Sequence, residues 1–173
     1  MKYLIYLILI IFLKYTFLTN LWGQNYVKEL KSFETDNYQK NLNELTLMAK
    51  KGDAEAQSTL GFIYYWGFGT SQDYDEALKW YSLSAQQGYP EAQYALGNMY
   101  GLEDYGEGDF VFTHMWWNIS SSNGYDEAKR GLRMIEQAMP LKDIEKAKSL
   151  ADICMKNDYI ECSSFNLLNS TKN

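Results

Sequence analysis

From Asp36 to Lys156 apolar residues return at steps of three and four, and glycine-rich or polar clusters break the run at regular intervals. That spacing is the signature of amphipathic helices joined by tight turns. In one stretch Ala56, Leu60, Ile63 and Tyr64 share a helical face. Asp53 stands where an N-cap belongs, and Gly67-Phe68-Gly69-Thr70 is turn chemistry. A second helix then opens at Asp73, carries Ala77, Trp80, Tyr81, Ser84 and Ala85 on one side, and stops at Gly88, a residue suited to a left-handed cap. The pattern predicts helices over 36–51, 53–66, 73–86, 89–100, 109–122, 125–138 and 140–156, an all-α chain.

The helix pairs repeat. Gly52, Gly88 and Gly124 lie 36 residues apart, and Glu55-Ala56, Glu91-Ala92 and Glu127-Ala128 follow them in register, as do Leu60, Leu96 and Leu132. One such unit cannot bury its own apolar face and must stack on its neighbours. The predicted organisation is a half repeat at 36–51 followed by repeats at 52–87, 88–123 and 124–157. Tyr38, Leu42, Leu45 and Ala49 form the buried stripe of the half repeat. Gly61 and Ala77 are placed to let the paired helices approach, with Thr113 replacing the alanine in the second repeat. The third departs from the plan: Arg133 stands where a glycine belongs, and Pro140 starts the last helix. A terminal repeat must face water on one side, so that departure is expected.

The string Ala56-Gln57-x-x-Leu60-Gly61-x-x-Tyr64, Gly67-x-Gly69, Asp73-Tyr74-x-x-Ala77-x-x-Trp80-Tyr81 resembles the Sel-one-like repeat, a relative of the tetratricopeptide repeat. The second copy matches through Ala92-Gln93-x-x-Leu96-Gly97-x-x-Tyr100 and His114-x-Trp116-Trp117. The likeness covers residues 36 to 162, and Tyr159-x-x-Cys162 looks like the closing segment of exported bacterial members. The resemblance implies an α/α superhelix, a right-handed solenoid, that serves as an adaptor for protein complexes, with no catalytic residue general to the family. The second inter-helix turn, Leu102 to Gly108, departs from it by losing the Gly-x-Gly spacing.

The first 23 residues are of another kind. Lys2 precedes the apolar run Tyr3 to Leu13, and Lys14, Thr16, Thr19 and Asn20 lead to Gly23. A basic start, a short apolar core and a small residue near the end describe a signal peptide cleaved after Gly23, with an uncleaved membrane anchor as the alternative. Residues 24–35 read as a lead-in or linker and 163–173 as a disordered tail. Loss of Lys2 and Lys14 would leave 14 basic and 22 acidic side chains, a net charge of −8. No basic stripe offsets that charge, so nucleic acid is a poor partner. Cys154 and Cys162 are the only cysteines. In an exported, periplasmic or secreted protein an even count reads as a disulfide, free thiols being the alternative.

Candidate chemistry is sparse. His114 is the only histidine, and no nucleophile or carboxylate is nominated beside it, so it reads as a helix-packing residue. Glu103, Asp104, Glu107 and Asp109 do not follow the order of a calcium loop and read as a solvated acidic turn. No metal set or cofactor motif is present. Phe62, Tyr65 and Trp66, with Tyr94 and Asn98 one repeat on, lie off the Leu60/Tyr64 stripe. In tetratricopeptide-like arrays such positions face the concave side, where aromatic and polar groups make a peptide groove. Packing of those rings into the array is the competing reading. The expected function is a non-enzymatic scaffold or adaptor in the bacterial envelope, docking a protein or peptide on its concave surface and meeting a membrane only through an uncleaved N-terminus. The alternative is an envelope enzyme or ligand-binder acting on peptidoglycan-like or penicillin-like compounds. Certain cysteine-rich relatives support it, but they carry a cysteine pair in each repeat.

Overall fold

Aspartates open the helices and left-handed glycines close them. Asp53, Asp73 and Asp109 each turn a carboxylate onto the first free amides of the helix that follows, satisfying donors with no intrahelical partner. Gly52, Gly88 and Gly124 take φ of 97°, 81° and 95°, the conformation an L side chain resists, and each ends a second helix. The computed structural model describes residues 38–101, 109–159 and 162. Its helices are α1 Tyr38–Lys50, α2 Ala54–Trp66, α3 Tyr74–Ala85, α4 Pro90–Gly101, α5 Phe110–Ser122, α6 Asp126–Ile135 and α7 Leu141–Lys156. No strand occurs among the described residues. The proposed signal segment, the 24–35 lead-in, most of the acidic turn 103–109 and the 163–173 tail lie outside them.

The chain divides into two units between Glu44 and Leu45, within α1, and the second holds α2 to α7. Of the first unit the described part is 38–44, the opening half of α1. In the second, α2 packs on α3, α3 on α4, α4 on α5, and α5 against both α6 and α7, while the first helices α2 and α4 also touch. Leu60, Tyr81, Leu96, Met115, Ile119 and Leu150 are fully buried along this stack. Each such side chain contributes roughly 1.5–3 kcal/mol by leaving water. Helix α6 buries only Ala128 and Ile135, so most of its surface faces away from the core.

Several sequence expectations move. Tyr65 and Phe62, read as lying off the core, are 8% and 7% exposed, whereas Tyr64, read as core, is half-buried. Tyr100, the counterpart of Tyr64 in the next repeat, is likewise half-buried. The rotation of a helix about its axis decides which neighbour on a crowded aromatic face turns inward, and spacing cannot fix that angle. Helix α6 ends at Ile135 rather than 138, because Gln137 and Ala138 bond back three residues, to Met134 and Ile135, in a tightened turn. Pro140, which disfavours helix before it, forces that turn and caps α7 from outside, the helix beginning at Leu141.

The close approaches also differ from plan. A Cβ on Gly61 would stand 2.7 Å from the ring of Tyr81, so the glycine admits an aromatic ring rather than a facing backbone. The third repeat keeps such a glycine after all. Gly131, two positions before Arg133, faces the six-membered ring of Trp117 at 2.8 Å from where its Cβ would be.

Candidate functional site

The five residues expected to bind a partner fall into two aromatic clusters on successive first helices. On α2, Phe62 stacks on Phe68 with centroids 5.5 Å apart, and Trp66 meets Phe62 at 6.4 Å. Tyr65 makes edge contacts with Trp66 at 5.1 Å and with Tyr74 at 5.3 Å. Phe62 and Tyr65 are buried, and Trp66 is left half-buried at the end of the helix. On α4, Tyr94 stacks on Trp117 at 5.6 Å and lies 5.1 Å from Tyr125. Asn98 accepts the Trp117 indole N–H at 3.1 Å. Tyr94 and Asn98 are both half-buried.

Charge follows the same register. Glu55, Glu91 and Glu127 occupy one position of successive repeats, at the start of α2, α4 and α6. Burial raises the Glu91 carboxyl above its ordinary range, its backbone hydrogen bond opposes that, and the like charges of Glu55 and Glu127 add to it. Burial likewise pushes the Tyr94 hydroxyl to about 12, against the hydrogen bond from Asn98. Tyr125 is raised by burial and then by Glu127. These phenols stay neutral across the physiological range.

A ladder of buried amides, not legible in the apolar spacing, joins the repeats. Gln57 donates its Nε2 to Ala49 O at 2.9 Å and accepts from Gln87 Nε2 at 2.7 Å. One repeat on, Gln93 donates to Ala85 O at 3.1 Å and accepts from Asn123 Nδ2 at 2.8 Å. Ser84 and Ser120 close the same two repeats by donating to Ala54 O and Pro90 O, both at 2.6 Å. The signal was present in the paired Ala-Gln dipeptides, Ala56-Gln57 and Ala92-Gln93. A glutamine on an otherwise apolar face must find partners for its amide when buried.

His114 is fully buried, its Nε2 lying 3.0 Å from Glu136 Oε1, which also accepts Lys148 Nζ at 2.9 Å. The contact ties α5, the α6 cap and α7 together. The hydrogen bond from His114, and then Lys148, hold the Glu136 carboxyl below its ordinary range. Cys154 and Cys162 are disulfide-bonded. Among the described residues no group of three His, Cys, Asp or Glu side chains could hold a metal ion, and no helix is long and apolar enough to cross a membrane.

Stacked helix pairs closed by the same bonds in register define an all-α helical repeat solenoid. A family model, the Sel1 repeat, matches residues 54–89 and 90–125. A solved structure is similar, that of a protective antigen present in uropathogenic Escherichia coli strains displaying an SLR fold. It is 26% identical with a TM-score of 0.64, over 73% of this chain and 27% of that one. This chain therefore spans about a quarter of that antigen's length. The chain carries two Sel1 repeats and has the fold of a Sel1-like repeat protein. Repeats of this type generally mediate protein–protein interactions, and the fold is typically a non-enzymatic scaffold. The search of curated proteins gives no match.

Proposed function

We propose that the protein is a non-enzymatic adaptor of the bacterial envelope that docks a protein or peptide on the concave face of its first helices. The observation carrying this is the pair of aromatic clusters on α2 and α4. Phe62 and Tyr65 form the buried floor of the first, and Trp66, Tyr94 and Asn98 form the half-exposed edge a partner would meet. Rigid, prepacked rings beside amides present contact area at little entropic cost, as interface anchors do. Export fits the disulfide, a bond that persists in oxidising compartments. It also fits the similarity to a protective antigen. Residues 1–23 serve as the export signal in this reading, and intact mass of the protein recovered from the periplasm tests their removal.

A photo-crosslinking amino acid placed at Trp66 or Tyr94 in the full chain, expressed in its bacterial host, tests the face. The expected result is the same partner band from both positions and none from Lys79, an exposed residue of the second helix α3. Equal crosslinking from all three positions would refute a docking face on the first helices. Hydrolysis of an envelope polymer by the pure protein would refute the adaptor reading.

A further inference from the structure

The segment after α7 matches the opening of a further repeat. Asp158-Tyr159-Ile160-Glu161-Cys162 aligns with Gly124-Tyr125-Asp126-Glu127-Ala128 and with Gly88-Tyr89-Pro90-Glu91-Ala92. The backbone agrees. Asp158 takes φ of 50° where Gly88 and Gly124 take 81° and 95°. Tyr159 N–H bonds Cys154 O as Tyr89 bonds Ser84 O and Tyr125 bonds Ser120 O. Cys162 thus stands in the register of Ala56, Ala92 and Ala128, and Cys154 in that of Ser84 and Ser120. All of these residues are buried.

The third repeat lacks the chemistry that closes the first two. Lys129 occupies the position of Gln57 and Gln93 and carries no acceptor for a ladder bond. The sulfur of Cys154, in place of a serine hydroxyl, is bonded to Cys162. Tyr159 supplies a substitute by reaching back. Its hydroxyl donates to Asn123 Oδ1 at 3.0 Å, and its ring covers Gly88, where a Cβ would lie 3.3 Å from Cε2. Asn123 in turn bonds Gln93, and Gln93 bonds Ala85 O, so one chain of contacts runs from Tyr159 to the turn after α3.

We propose that the Cys154–Cys162 disulfide is a redox latch that fixes this repeat opening against the array, holding Tyr159 on Asn123 and Gly88. The array then reaches its full rigidity only after oxidation. Closing the latch transfers two electrons from the two thiols to an incoming disulfide, which leaves as two thiols with the two protons. A dithiol reductant reverses the exchange. An open latch releases Tyr159 and loosens the 85–93 turn, while among the described residues nothing covers Gly52 in the 49–53 turn.

Hydrogen exchange on the full chain tests this, because the two turns are built alike. Gly88 and Tyr89 bond Ala85 O and Ser84 O as Gly52 and Asp53 bond Ala49 O and Met48 O, so the second pair is an internal control. Reduction, the Cys154→Ala/Cys162→Ala variant and Tyr159→Phe are each expected to speed exchange at Gly88 and Tyr89 about ten-fold, the scale of one lost hydrogen bond with its packing. Gly52 and Asp53 should be unchanged. If the cysteine variant does not fold, Tyr159→Phe decides the contact with the disulfide intact, and reduction of the native chain decides the latch. Unchanged exchange at Gly88 and Tyr89 in either, or an equal rise at both turns, overturns the proposal.

Discussion

The indole of Trp117 lies directly over Gly97, so that a Cβ on the glycine would stand 2.6 Å from the ring nitrogen. Gly131 receives the other side of the same ring, Tyr94 stacks on it and Asn98 accepts its N–H. One side chain of α5 therefore organises two first helices.

Gly97→Ala should destabilise the protein by about 2–3 kcal/mol, since a ring held between two helices has nowhere to retreat. Gly124 has open space around the missing Cβ but a φ of 95°, so Gly124→Ala should cost about 1 kcal/mol through backbone strain alone. Urea midpoints measured side by side check the order. A larger loss at Gly124 would contradict the packing account.

Removing the side chain of Gln93 should cost about 2–3 kcal/mol, because the amide is fully buried and its loss strands Ala85 O and Asn123. Gln87→Ala, at an exposed residue, should cost under about 1 kcal/mol, since water can replace its bond to Gln57. Thermal unfolding of the two variants distinguishes a buried ladder from a surface contact.

Two glutamates give opposite pH dependence. The Glu136 carboxyl is held below its ordinary value, so its contribution to stability is present above the unfolded pKa and is lost as pH falls through the folded one. Glu136→Gln should lower stability at pH 7 and flatten the acid limb below about pH 4.5. The Glu91 carboxyl is raised, so its folded state carries a penalty at neutral pH that disappears as acid protonates it. Glu91→Gln should stabilise at pH 7 and have no effect near pH 3. Denaturant titrations across pH read both slopes, and matching signs for the two variants would show that one assignment is wrong.

Replacing His114 by Gln, whose amide reaches the Nε2 position, or by Leu separates its packing from its polar contact. Leu should be the more damaging, because it leaves Glu136 without its buried donor beside Lys148. The expected loss for Leu is about 1–3 kcal/mol, read from the unfolding midpoint. Equal effects of the two would mean that the hydrogen bond contributes nothing.

The sequence by itself determined the helices, their order and the period, because each depends on neighbours within a turn or two. Asp53 and Asp73 cap, Gly52 and Gly88 terminate, and Leu60 and Leu96 repeat, whatever the rest of the chain does. Only the tertiary structure decided which of Tyr64 and Tyr65 turns inward, since that rests on how far α2 rotates against its neighbours. The same holds for the amide ladder, whose partners lie 30 residues apart and meet only once α3 folds back on α2 and α5 on α4. Gly131 took over the role expected at position 133 for the same reason: what a glycine must admit is set by Trp117 on another helix. Five residue names were all that the sequence offered for a candidate site. Its division into a buried floor of Phe62 and Tyr65 and an accessible edge of Trp66, Tyr94 and Asn98 came from packing, which spacing along a single chain does not contain.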